Sequence, residues 1–130
     1  MSEILVWRAL VIVQGKILVV RKTQNEMWML PTGVFQHDDQ QQKAIKRELL
    51  KQTGYHATSV SDQPITLTDL DYKIGNQLFL AEIQTDQSKS GYAMDCEFMT
   101  IEDFDAQLVE HDYPISRREE LSLTINRILT

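Results

Sequence analysis

Glu48, Lys51 and Gln52 stand at spacings i, i+3 and i+4. On a helix these three positions share one face. A helical carboxylate there can hold a hard divalent cation. Lys51 can meet a phosphate oxygen, and Arg47 precedes the acid directly. Upstream, Gly33 lies between an apolar run and the helical stretch, where loop amides and a helix N-terminus favour phosphate. Arg21 and Lys22 close an earlier apolar run and could face the same ligand. The plainer alternatives are a surface Arg47, a solvated Glu48 paired with Lys51, and an exposed strand end at Arg21. Trp28 is either a packing residue or a platform for stacking a base.

The elements that must position these groups follow from patterning. Residues 38–53 contain no Gly or Pro and are rich in helix formers. Asp38 or Asp39 can cap the start of that helix and Gly54 can end it. Residues 4–13 and 17–20 are apolar and rich in β-branched types, with Gln14-Gly15-Lys16 between them, which predicts a two-stranded hairpin. A short strand is expected at 27–30, stopping at Pro31. Further strands are expected at 65–70 and 77–83, turning at Gly75-Asn76, and at 97–99. Residues 87–91 are polar and read as a loop, and 102–108 as a helical turn. The final segment carries a capping box, Ser116 to Glu119, followed by Leu121, Ile125, Ile128 and Leu129 at helical spacing. The sum is an α/β architecture, a mixed β-sheet packed between helices.

Composition narrows the function classes. The 130 residues suit one domain spanning 1–130, with 42% hydrophobic and 25% charged residues. The net charge of −6 argues against a nucleic-acid polymer or an anionic membrane as partner. It leaves room for a small nucleotide in a local basic pocket. The single cysteine, Cys96, excludes an intrachain disulfide and suits a reducing, cytoplasmic setting. The first apolar run is cut by Arg8 and Gly15 and lacks a basic start, so it reads as neither a signal peptide nor a membrane span. His37, His56 and His111 show no metal-ligand spacing.

The stretch from Gly33 to Tyr55 resembles the Nudix box. That box is a glycine, five residues, Glu, seven residues, Arg-Glu, an aliphatic, any residue, Glu-Glu, any residue, glycine and an aliphatic. Gly33 takes the first position, Asp39 replaces the first Glu, and Arg47-Glu48-Leu49 follow in register. Gly54 fits, and Tyr55 stands for the final aliphatic. Trp28 and Leu30-Pro31 also resemble the family's approach to the box, although Thr32 replaces a usual glycine. The resemblance implies a Nudix fold and a MutT-like hydrolase of a nucleoside diphosphate linked to another group, using Mg²⁺ or Mn²⁺. It implies Glu48 as metal ligand and catalytic group, helped by Asp39 and by a later acid, Glu97 or Asp95. It implies Arg47 as an organiser of the loop. Gly33, Arg21 and Lys51 would meet the substrate.

The departure falls on the metal face. The family's Glu-Glu is Lys51-Gln52 here, so the pair carries +1 instead of −2. Repulsion between unit charges about 4 Å apart is about 1 to 4 kcal/mol in water-like to surface-like dielectric. A weak or altered hydrolase is therefore one expectation. A nucleotide-binding module without turnover, reporting through a partner or a homodimer, is the other. A ligand-free structural protein is a third.

Overall fold

The computed structural model describes residues 4–36, 40–67, 74–85 and 94–129. The first strand, β1 (Ile4–Leu10), runs parallel to β7 (Ile74–Ile83) and antiparallel to β4 (Thr32–Val34). β5 (Ala57–Val60) and β6 (Ile65–Leu67) both pair antiparallel with β7, which completes a mixed five-stranded sheet. β2 (Ile12–Val13), β3 (Lys16–Arg21) and β8 (Asp95–Met99) form a second, antiparallel sheet.

Side-chain alternation along the strands sorts the core into two layers. Trp7, Ala9, Leu18, Phe79 and Ala81 pack with Ile45 and Leu49 of helix α1 (Gln41–Thr53). Leu10, Ile17, Val19 and Leu78 turn the other way. They meet Phe104 and Leu108 of α2 (Ile101–Glu110) and Leu121 and Ile125 of α3 (Ile115–Leu129). The sheets thus lie between α1 on one side and α2 with α3 on the other.

Several sequence expectations change in detail. The hairpin predicted from 4–13 and 17–20 is split, because the chain leaves one sheet after Leu10 and enters the other at Ile12. Only β2 and β3 form the hairpin, through Gln14 and Gly15 at φ 53° and 77°. Two successive positive φ values match the right-handed twist of the flanking strands. The strand expected at 27–30 is reduced to a single bridge, Val20 with Met29, and the real strand starts after Pro31. Gly75-Asn76 is no turn. Both lie inside β7, in register with Leu5 and Val6. Strand β5 has no counterpart in the sequence reading. Ser116 does not cap α3, since the helix already includes Ile115. Thr100 instead caps α2, accepting from the Asp103 N–H at 3.2 Å.

Helix α1 ends as expected, with Gly54 at φ 79° and its N–H bonded to the Leu50 carbonyl. Its start is Gln41, with no side-chain cap bond from Gln40. Asp38 and Asp39, the expected caps, lie outside the described residues, as do residues 68–70 and 87–91. No described helix is long and apolar enough to cross a membrane.

Candidate ligand site at the end of helix α1

Strand β4 and α1 meet around Trp7. The Trp7 indole lies against the Cα of Gly33, so a Cβ there would approach Trp7 Cζ2 to 2.7 Å. Glycine at 33 is therefore required by packing, and the strand pairing of Trp7 with Gly33 sets that contact. Next to it, Thr32 Oγ1 donates to the Trp7 carbonyl at 2.7 Å. The Thr32 carbonyl accepts from Gln52 Nε2 at 3.0 Å. Thr32 and Gln52, the two replacements that read as unrelated in the sequence, thus form one clasp between β4 and α1. A glutamate at 52 could not donate that bond and would set its charge against a carbonyl oxygen.

The face of α1 that carries chemistry is one turn long. Glu48 is about a third exposed, and its Oε1 is 3.8 Å from Arg47 Nε, whose side chain is 61% exposed. At such exposure the ion pair adds little stability. Lys51 is exposed and Gln52 half-buried. Beyond Gln52 lies a cavity of about 350 Å³. Its walls include Arg21, Met27, Met29, Thr32, Gln52 and Met94.

Arg21 is held by three neighbours. Its guanidinium lies 4.1 Å from the Trp28 ring centroid, its Nη1 donates to the Gln24 carbonyl at 3.3 Å, and its Nε is 3.8 Å from Asp95 Oδ2. Trp28 is fixed in turn by Gln107 of α2. Gln107 Oε1 accepts from the Trp28 N–H and its Nε2 donates to the Trp28 carbonyl, both at 2.8 Å. The amide side chain imitates a neighbouring strand for one residue. Nothing in the sequence pattern marks Gln107 for this part. The signal for Arg21 with Trp28 was composition alone, a cation and an aromatic seven positions apart across a turn.

The later acids do not join Glu48. On β8, Cys96 Sγ donates to the Thr53 carbonyl at 3.7 Å and the Phe98 ring meets Tyr55 at 5.8 Å, so these two side chains face α1. Asp95 and Glu97 alternate with them and face the opposite way, in register with Arg21 and Val19. Both are exposed. Asp39 lies outside the described residues. Among the described residues, no three His, Cys, Asp or Glu side chains converge on a point that could hold a metal ion.

Known structures share this architecture. A UDP-X diphosphatase superposes with a TM-score of 0.64 at 22% identity over 78% of this chain, which spans 53% of that protein's length. A structure described as MutT, from Aliivibrio salmonicida and Vibrio cholerae, matches 99% of this chain and 98% of its own, with 19% identity and a TM-score of 0.64. An ADP-ribose pyrophosphatase from Streptococcus suis matches 78% of this chain and 77% of its own, at 16% identity and a TM-score of 0.59.

The chain has the Nudix fold.

No protein-family model and no curated protein matches the sequence. In the Nudix frame, α1 is the helix of the box-like stretch, and Gly33 and Gly54 mark its loop and its end. The Thr32–Gln52 bond ties the strand that carries Gly33 to the helix turn that carries Arg47 and Glu48. Arg21 and Gln52 both line the cavity. Glu97 stays apart on the far face of β8.

Proposed function

We propose that this chain is a Nudix-type hydrolase of a nucleoside diphosphate linked to another group, slow because its helix offers one carboxylate to a divalent metal. The observation that carries the reading is Glu48 on α1, one turn from a cavity walled by Gln52 and Arg21. One turn is about 5.4 Å along the axis, close enough for one ligand to span both.

The donor chemistry suits a lightly held cation. Magnesium is commonly bound by one or two carboxylates, with water and substrate phosphate filling the rest. Glu48 would hold it, with Asp39 as a second oxygen donor. When bound, such a cation polarises the diphosphate and a water. Lys51 reaches the same face and offsets phosphate charge. Arg47 would order the loop that precedes α1. Gln52, spent on Thr32, keeps the loop against the helix.

A binding module without turnover is the second reading, favoured by the Gln52 amide, which occupies a ligand position and is turned toward the Thr32 carbonyl. One experiment separates the two. The protein is incubated with nucleoside triphosphates, dinucleoside polyphosphates, ADP-ribose and nucleotide sugars, with Mg²⁺, Mn²⁺ or chelator, beside Glu48→Gln. Metal-dependent turnover lost in the variant supports the hydrolase. A folded protein with no turnover on any of these compounds supports the module.

A further inference from the structure

Helix α1 carries four cations, Lys43, Lys46, Arg47 and Lys51, against one acid, Glu48. The chain as a whole has a net charge of −6. Lys43, Arg47 and Lys51 stand at i, i+4 and i+8, so they form one row along the helix. All three are exposed, and Lys46 beside them is half-buried. The row spans about 12 Å, with about 6 Å between neighbours along the axis. Like charges at i, i+4 destabilise a helix. The first turn adds to this, since it holds Lys43 and no acid, against the preference of the helix dipole. A polyanion bound along the row relieves both strains.

The kind of polyanion follows from what surrounds the row. Proteins that hold single-stranded nucleic acid add aromatic side chains on which bases stack, and α1 has no aromatic residue. Helices that lie on membranes turn apolar residues outward, whereas Ala44, Ile45 and Leu49 of α1 are buried. The other side of the sheets carries α2, with Glu102, Asp103, Asp105 and Glu110 and no Lys or Arg, so a broad polyanion wrapping the molecule is repelled there. A thin, unbranched phosphate chain needs a single row of cations and nothing else. The Lys51 end of the row adjoins Gln52 and lies one turn from Glu48, where the diphosphate of the proposed ligand would lie. A guanidinium carries several donors, so Arg47 can hold the preceding loop and still offer its charge to the chain.

We propose that the row Lys51, Arg47 and Lys43 binds the further phosphates of a linear polyphosphate chain, continuing from the diphosphate at the site toward the start of α1. The ligand class is a nucleotide whose phosphate chain is longer than a diphosphate. The contact is electrostatic and needs no metal. The proposal rests on the reading of the chain as a protein for nucleoside diphosphate derivatives and adds the length of phosphate chain that it selects.

The test is calorimetry in excess chelator at about 0.1 M salt, with inorganic pyrophosphate, tripolyphosphate and linear pentaphosphate as probes. Affinity is expected to rise with chain length, pentaphosphate binding at least about tenfold more tightly than pyrophosphate. That gain is expected to vanish at about 1 M salt, where exposed charges are screened over short distances. Lys43→Glu is expected to weaken pentaphosphate binding about fivefold or more and to leave pyrophosphate within about twofold. Lys16→Glu, at an exposed position on β3, makes the same change in net charge and is expected to alter neither by more than about twofold. Equal affinity for the three probes, a folded Lys43→Glu with unchanged pentaphosphate affinity, or an equal loss in Lys16→Glu would each overturn the proposal. So would displacement of pentaphosphate by an oligothymidylate or oligoglutamate of equal charge, or by phosphatidylserine vesicles. Should Lys43→Glu fail to fold, backbone amide NMR shifts of the unaltered protein on pentaphosphate addition decide the matter. They are expected along residues 43–51, and shifts elsewhere overturn the proposal. Turnover of nucleotide derivatives is scored separately. Its absence with pentaphosphate binding intact sinks the hydrolase reading alone, and turnover without any chain-length preference in binding sinks this proposal alone.

Discussion

Helix α1 has two sides. On one, Ile45 and Leu49 are sealed against Trp7, Leu18 and Phe79. On the other, Glu48, Lys51 and Gln52 meet solvent and the cavity. The buried side matches the box-like pattern at Leu49 and Gly54, because a packed core and a left-handed cap admit few substitutes. The open side is where the pattern fails, and charge there can change while the backbone keeps its place. The same contrast appears in Gly33, where the Trp7 ring leaves no room for a side chain. Packing holds the frame, so the fold outlasts changes in the chemistry it was arranged around.

The largest effects should come from the buried side. Leu49→Ala empties a fully buried site and should cost about 2–5 kcal/mol by chemical denaturation. That cost should be the same with and without metal. Gly33→Ala pushes a methyl into Trp7 and should cost about 1–3 kcal/mol, seen as a lower melting temperature. Gln107→Ala strips both backbone partners from Trp28 and should cost about 1–3 kcal/mol. It should also loosen the Arg21–Trp28 stack, read as a change in Trp fluorescence. At the small end, Glu48→Gln should shift stability by no more than about 0.5 kcal/mol while abolishing metal-dependent turnover. A Glu48→Gln protein that melts several kcal/mol earlier would break the contrast between the two sides.

Much of the fold was legible because it depends on local signals. The uninterrupted helix formers of α1, the left-handed Gly54 and the Gln14-Gly15 turn each have a short-range physical cause. What was not legible depends on distant partners. Gly75-Asn76 reads as a turn by residue type, yet pairing with β1 along its full length holds it extended. The run through Val11 looks continuous, and only the two sheets reveal where it changes layer. Pro31 does end the preceding segment, but the strand that forms the site begins right after it. At the site, the helical spacing correctly placed Glu48, Lys51 and Gln52 on one helix. It could not show that Thr32 and Gln52 bond to each other. It also could not give the facing of Glu97, because strand parity on β8 is fixed by Cys96 and Phe98 packing against α1.

If the proposed hydrolase is slow for the reason given, Lys51 and Gln52 weaken cation binding on the open side of α1, by their charge and by the bond that holds Gln52 on the Thr32 carbonyl. It is tested most directly by measuring Mn²⁺ affinity, by calorimetry or electron paramagnetic resonance, for the protein and for the double variant Lys51→Glu, Gln52→Glu. The double variant loses the Gln52–Thr32 bond, yet, held by the packing of Leu49 and Gly54, it is expected to fold and to bind Mn²⁺ at least about tenfold more tightly, since a charge of +1 becomes −2 beside Glu48. An equally folded double variant with unchanged Mn²⁺ affinity would contradict it, and would mean that the frame itself no longer places these side chains around a cation.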